Sequence, residues 1–403
     1  MKTKPQKAFL ICCLCVAIFL WERQAAAGMD IYGDFSTIMQ YSGENKEYLG
    51  QAQKGDLGAY LDGNLYFSQI DADFYQYMLA LGFEGNLADR NAPVAFTVKQ
   101  LFLQLPLSDY AYLYCGKKSK ETGASWFFNV SNRISPKFLS GFDYERTAPG
   151  FIEASFIHSG KLAYGGLLYF RDAENWDQVN TAVYTDYNHG NFNADLCLYF
   201  EELPDPSMHI GSNLSYQYGI YQFYIESIWK EKAEQYVVVG DTGDPLVDFA
   251  ARDGKSAFAT VFGVSLTKEH WGLVLEYLWR QEGYNQKEQR VFIDYLKKHG
   301  PEGLIHYSRC ALLQNYLAVH WYRKSFIHPS LALGVSSILS FQPGEEEFSQ
   351  YAAGELTGSI SYMLSQNCEL ALYSRCLTGG MYGEFSNLSP EQSLVALVLT
   401  YQF

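Results

Sequence analysis

Beyond Ala27 the chain has no long apolar run. Nothing approaches the roughly 18 consecutive apolar residues of a membrane helix, so any passage through a bilayer must be made with strands. Basic charge is scarce as well: 30 Lys and Arg stand against 44 Asp and Glu, a net charge of −14 that speaks against a nucleic-acid partner. Of eight cysteines, Cys12, Cys13 and Cys15 fall in the N-terminal apolar run. The remaining Cys115, Cys197, Cys310, Cys368 and Cys376 are odd in number and scattered, without a CxxC pair, which excludes a disulfide framework and a cysteine metal site. No GxSxG, HExxH, P-loop or dinucleotide fingerprint occurs, so neither enzymatic activity nor a cofactor is expected.

Aromatic residues are abundant. With 32 Tyr and 27 Phe the mean hydropathy is still only −0.15. A transmembrane β-barrel produces that combination, because one face of each strand meets lipid, the other meets water, and aromatic girdles mark both interfaces. The N-terminus reads as a secretory signal over residues 1–27. Lys2, Lys4 and Lys7 precede the apolar Ala8–Trp21, and Ala25-Ala26-Ala27 offers a small-residue cleavage site. That segment carries Lys2, Lys4, Lys7 and Arg23 against Glu22, so the remaining 28–403, read as a single barrel, stands at −17.

Glu391–Phe403 sets the pattern for the chain. Val395, Leu397, Leu399, Tyr401 and Phe403 share one face of an extended strand, with Leu394, Ala396, Val398, Thr400 and Gln402 on the other. About seventeen earlier segments repeat this plan, and the fold class expected is all-β: a transmembrane antiparallel barrel of about 18 strands, with 16 as the alternative. The connections agree, because long and short intervals alternate as extracellular loops and periplasmic turns do. The apolar faces then belong to lipid and the charges to the lumen, since Arg or Lys on the lipid face at mid-bilayer costs roughly 2–4 kcal/mol. By this rule Arg171, Asp195, Glu201, Glu226, Lys230, Glu276, Arg280, Glu355, Glu369 and Arg375 point inward. An 18-stranded lumen is too wide for wall side chains to fill, so it conducts or is plugged by loops.

Between the fifth and sixth strands lies GKKSKETGASWFFNVSNRISPKFLSGFDYERTAPG, expected to fold inward over residues 118–148. Its Gly-Lys-Lys start, Gly123, aromatic step Trp126-Phe127-Phe128 and Asn-containing turn ending near Pro136 resemble the GxQ…WG…NP…N segment of alginate-export-type and related porin-like barrels of Gram-negative outer membranes. The match covers about twenty residues, with Lys118 in place of Gln and Ser125-Trp126 in place of Trp-Gly. The resemblance implies a large channel narrowed by an inward loop. Together with position it nominates Lys117, Lys118 and Arg133 as lumen cations and Trp126 as part of the constriction.

Two outer segments carry further signals. Val291, Ile293, Tyr295 and Leu296 define a short amphipathic helix. Asp241, Asp244 and Asp248 crowd oxygen ligands together but lack the spacing of a calcium loop. The functional expectation is a porin-like outer-membrane channel for passive diffusion or export of small polar or charged solutes. The expected partners are outer-membrane lipid, those solutes, and the barrel-assembly machinery through Phe403. The alternative is a non-conducting barrel that serves as a surface scaffold or adhesin through its long loops.

Overall fold

The computed structural model describes residues 30–44, 56–70, 76–87, 94–118, 120, 123–134, 137–140, 143–146, 150–158, 160–170, 179–202, 206–252, 256–307, 312–342, 348–389 and 391–403. The proposed signal segment and Arg171 lie outside them. Eighteen strands form one sheet. They are β1 Asp30–Glu44, β2 Asp56–Ile70, β3 Gln76–Asn86, β4 Ala95–Ser108, β5 Ala111–Lys117, β6 Gly150–His158, β7 Leu162–Phe170, β8 Val179–His189 and β9 Phe192–Glu201. The second half comprises β10 Ser207–Tyr218, β11 Tyr221–Lys230, β12 Ala257–Lys268, β13 Trp271–Arg280, β14 Asn315–Arg323, β15 Leu331–Phe341, β16 Ala353–Ser365, β17 Cys368–Gly379 and β18 Glu391–Gln402.

Every neighbouring pair is antiparallel, and β1 pairs with both β2 and β18, so the sheet closes on itself. The chain's last residue helps to seal it: Phe403 and Gly33 exchange backbone hydrogen bonds of 3.0 and 3.1 Å. The count of 18 stands, and 16 does not. Connections at one end are short, among them 109–110, 190–191, 219–220, 269–270 and 366–367. Those at the other end are longer, up to 118–149, 231–256 and 281–314. Gly190 and Gly219 both sit at φ +60° in two-residue turns, where the strand twist demands a left-handed residue and a Cβ is strained.

Alternation sorts the two faces as the residue types require. Leu273 and Leu275 on β13, Leu196 and Phe200 on β9, and Val395, Leu397 and Leu399 on β18 are exposed on the outer surface. Their alternating neighbours Val274, Glu276, Tyr199, Glu201, Leu394 and Ala396 are buried inside. A wall with apolar side chains outside and carboxylates inside suits a lipid surround and a polar interior.

Eighteen strands spaced about 4.8 Å apart and tilted about 40° enclose a ring roughly 35 Å across, far wider than two side chains can bridge. Loops supply the missing filling. On the long-loop side, the helix Gln286–His299, opened by an Asn285–Glu288 capping box, turns Phe292, Ile293, Tyr295 and Leu296 inward. There they join Phe249, Tyr284, Leu313, Tyr316, Tyr351, Tyr382 and Phe385, and also Phe127 and Phe128 of the 118–149 connection, in one apolar cluster. This core inside the barrel binds five connections to the wall.

Leu275 lies midway along β13 on the lipid face, so Leu275→Arg is expected to destabilise the folded barrel by about 2–4 kcal/mol. Urea unfolding in detergent or lipid, followed by tryptophan fluorescence, reads this directly. A change below about 1 kcal/mol would contradict the outward assignment.

Candidate functional site

The site is built where residues 123–134 cross the lumen. An irregular segment carries backbone N–H groups that no strand ladder satisfies, and burial makes partners obligatory. Two wall carboxylates, both fully buried, provide them. Glu276 of β13 accepts from the backbone N–H groups of Trp126, Phe127 (2.9 Å) and Phe128 (3.1 Å), and from the Tyr224 hydroxyl (2.6 Å). Glu226 of β11 accepts from the Ser125 N–H (3.2 Å) and hydroxyl (2.7 Å) and from the Ser131 N–H (2.8 Å). Successive N–H groups converging on an anion form a nest, and each charge-assisted bond is worth about 1.5–3 kcal/mol. Gly123, at φ +87°, lies against Glu226 so closely that a Cβ would collide with the carboxylate.

Aromatic packing orients the same segment. Phe127 and Phe128 are buried in the apolar cluster, Phe128 at 6.0 Å from Tyr316. Trp126 turns the other way, 42 % exposed, and stacks on His320 of β14 with centroids 5.2 Å apart. Asn132 donates its N–H to the Asn129 side chain (3.1 Å), closing the turn.

Arg133 anchors the end of the crossing. It donates from Nε and Nη2 to Glu201 (2.8 and 2.6 Å) and from Nη1 and Nη2 to Glu234 (3.1 and 2.5 Å). The chain of charge continues from Glu234 to Lys230 (2.6 Å), from Lys230 to Glu282 (2.6 Å) and from Glu282 to Arg280 (3.0 Å). Burial alone would raise the Glu282 carboxyl, yet Lys230 and Arg280 hold it at about 2. For Arg133 burial works the opposite way and is overcome by Glu234 and Glu201, which hold the guanidinium charged. Glu201, His209 and Glu234 bring potential metal donors together, but the Arg133 guanidinium already binds both carboxylates and supplies the positive charge.

Of the other nominated residues, Lys118 is inside, its Nζ 4.4 Å from the centre of the Phe102 ring. Glu369, half-buried on β17, faces inward opposite Thr400. Arg375 also faces inward and donates to Glu391 (3.0 Å). Lys117 corrects the expectation of a lumen cation. Tyr114 faces the lumen, and three residues along an extended strand reverse the face, so Lys117 stands outside and donates to the Val98 carbonyl (2.7 Å). Asp241, Asp244 and Asp248 are structural. Asp248 accepts from Thr242, Gly243 and Tyr295, Asp244 caps the short helix Pro245–Asp248, and Asp241 pairs with Lys298 and His299.

A cavity of about 750 Å³ lies between this crossing and strands β5–β11. It is lined by Lys118, Lys120, Gly123 and Ser131 on the loop side, and by Tyr114, Glu153, Tyr184, Asp186, Asn193, Asp195, Asn213 and Gln217 on the wall. Sequence reasoning passed over Glu153, which pairs with Lys120, although strict alternation along β6 places it inward.

No protein-family model and no curated protein matches the chain. Among solved structures it is similar to OccK11 (OpdR) of Pseudomonas aeruginosa, with a TM-score of 0.57 and 10 % identity over 93 % of this chain and 96 % of that one. OccAB1 of Acinetobacter baumannii gives 0.57 and 8 % over 93 % and 96 %. The outer membrane protein OpdK of P. aeruginosa gives 0.54 and 11 % over 93 % and 99 %. Identities this low establish a shared fold, a porin-like 18-stranded barrel. They do not show the alginate-export resemblance.

Replacing Glu276 by Ala takes the acceptor from three N–H groups, of which the buried two, at Phe127 and Phe128, cost about 1–3 kcal/mol each. In hydrogen–deuterium exchange the amides of Trp126, Phe127 and Phe128 are expected to lose protection while those of β13 keep it. Unchanged protection at these three would contradict the anchoring role.

Proposed function

We propose that this protein is an outer-membrane channel through which small polar or charged solutes pass passively, narrowed by the inward crossing of residues 118–148. The observation that carries the reading is the division of the lumen. One side is packed with apolar loop residues, and the other keeps a polar cavity of about 750 Å³ against β5–β11. That volume falls within the roughly 300–1,000 Å³ of small-molecule sites. Vanillate, with which OpdK has been solved, is a solute of this size class. Trp126 and Lys118 border the crossing, Glu226 and Glu276 hold it, and Arg133, Arg280, Glu369 and Arg375 contribute inward charge. Arg171 is assigned to the lumen by alternation. The work is transport without bond chemistry, and Phe403, at the closing seam, serves recognition by the barrel-assembly machinery.

A second reading, a surface scaffold whose loops bind a partner, draws on the exposed apolar side chains Leu246, Val247 and Ile305 on the long-loop side. Single-channel recording in planar bilayers separates the two. The channel reading expects discrete conductance that rises when Gly123–Asn132 is deleted. A folded, heat-modifiable barrel that conducts in neither form would overturn it and favour the scaffold.

A further inference from the structure

Asp186 of β8 and Asp195 of β9 face each other in register on the inner wall. Directly opposed residues bring their Cβ atoms within about 5 Å, and two like charges there oppose each other unless a proton or a cation lies between them. The row continues in register to Asn213 of β10 and Glu226 of β11.

Among the described residues no cationic side chain pairs with either aspartate. Asp186 Oδ1 accepts from the amides of Asn188 (2.8 Å) and Asn193 (3.3 Å), and Asp195 Oδ2 accepts from the amide of Asn213 (3.0 Å). Two buried oxygens are left over, Asp195 Oδ1 and Asn213 Oδ1, which accept nothing. Asn213 is only 3 % exposed, so its orphaned oxygen is costly. Its amide cannot turn over to remedy this, because that would set oxygen against the Asp195 carboxylate. Nearby cations are committed elsewhere: Lys118 to the Phe102 and Tyr114 rings, Lys120 to Glu153 and the Tyr184 ring, Arg133 to Glu201 and Glu234. The charged residues lining the cavity are Lys118 and Lys120 against Glu153, Asp186 and Asp195, so its wall is net negative.

We propose that Asp186, Asp195 and the Asn213 carbonyl oxygen form a cation subsite that makes the pore select cations over anions, taking K⁺ or the ammonium head of an organic solute. The proposal rests on the channel reading and names its substrate class. The two carboxylates supply charge, and the orphaned oxygens replace part of the hydration shell that a cation sheds on entering.

Reversal potentials across a KCl gradient in planar bilayers at neutral pH test it on the full barrel. Wild type is expected to pass K⁺ several-fold better than Cl⁻. Asp186→Asn with Asp195→Asn is expected to bring that ratio several-fold down toward one, and Asp186→Lys to invert it. A conducting wild type that prefers Cl⁻, or a ratio unmoved in the double variant, overturns the subsite and leaves a shared proton as the account of the pair. A barrel that never conducts defeats the channel reading instead. The subsite is then judged by calorimetric titration of the detergent-solubilised protein with KCl: heats equal in wild type and double variant overturn it, and heats lost in the double variant support it.

Discussion

The structure depends on a mismatch between wall and interior. An 18-stranded wall satisfies all its own backbone hydrogen bonds by closing, but it encloses far more space than its side chains can occupy. Loops must enter, and an entering loop brings N–H groups that no strand ladder satisfies into buried surroundings. The carboxylates of Glu226 and Glu276 meet that need. They are charges the wall can hold only on its inner face, and their cost of burial is partly offset by the loop donors that converge on them. Wall and loop therefore stabilise each other: removing either leaves buried groups without partners.

The same mutual dependence organises the long-loop end. The helix Gln286–His299 on the long-loop side is held because Phe292, Ile293 and Leu296 join Tyr316 of the wall and Phe128 of the crossing segment in one apolar cluster. Arg133 is the electrostatic counterpart, tying the crossing to Glu201 at the end of β9 and to Glu234 in the 231–256 connection. The apolar packing reaches the wall at Val261, Leu278, Tyr316 and Ile338 of β12–β15, whereas the polar cavity lies against β5–β11, so the interior is asymmetric.

The barrel was legible in the sequence because strand alternation has period two and reports burial residue by residue. Leu273, Leu275 and Glu276 fall on the faces their chemistry demands, and loop lengths alternate with them. The inward position of Glu226 and Glu276 was legible for the same reason. Their role was not, since they serve backbone groups as many as 150 residues away, and a backbone N–H carries no sequence signature. Glu234 and Glu282 sit in connections without periodicity, so nothing local marked them as partners of Arg133 and Lys230. Lys117 and Lys118 show the limit of alternation at a strand end: adjacent residues take opposite faces, and only Lys118 reaches the lumen.

The central claim is that two wall carboxylates hold the segment of residues 123–134 in place. Single-channel conductance of the double variant Glu226→Ala, Glu276→Ala, compared with wild type, tests it most directly. The account predicts a larger and noisier open-channel current, because the crossing segment loses its anchors while the strands stay paired. A current of wild-type amplitude and noise from the correctly folded variant would contradict it.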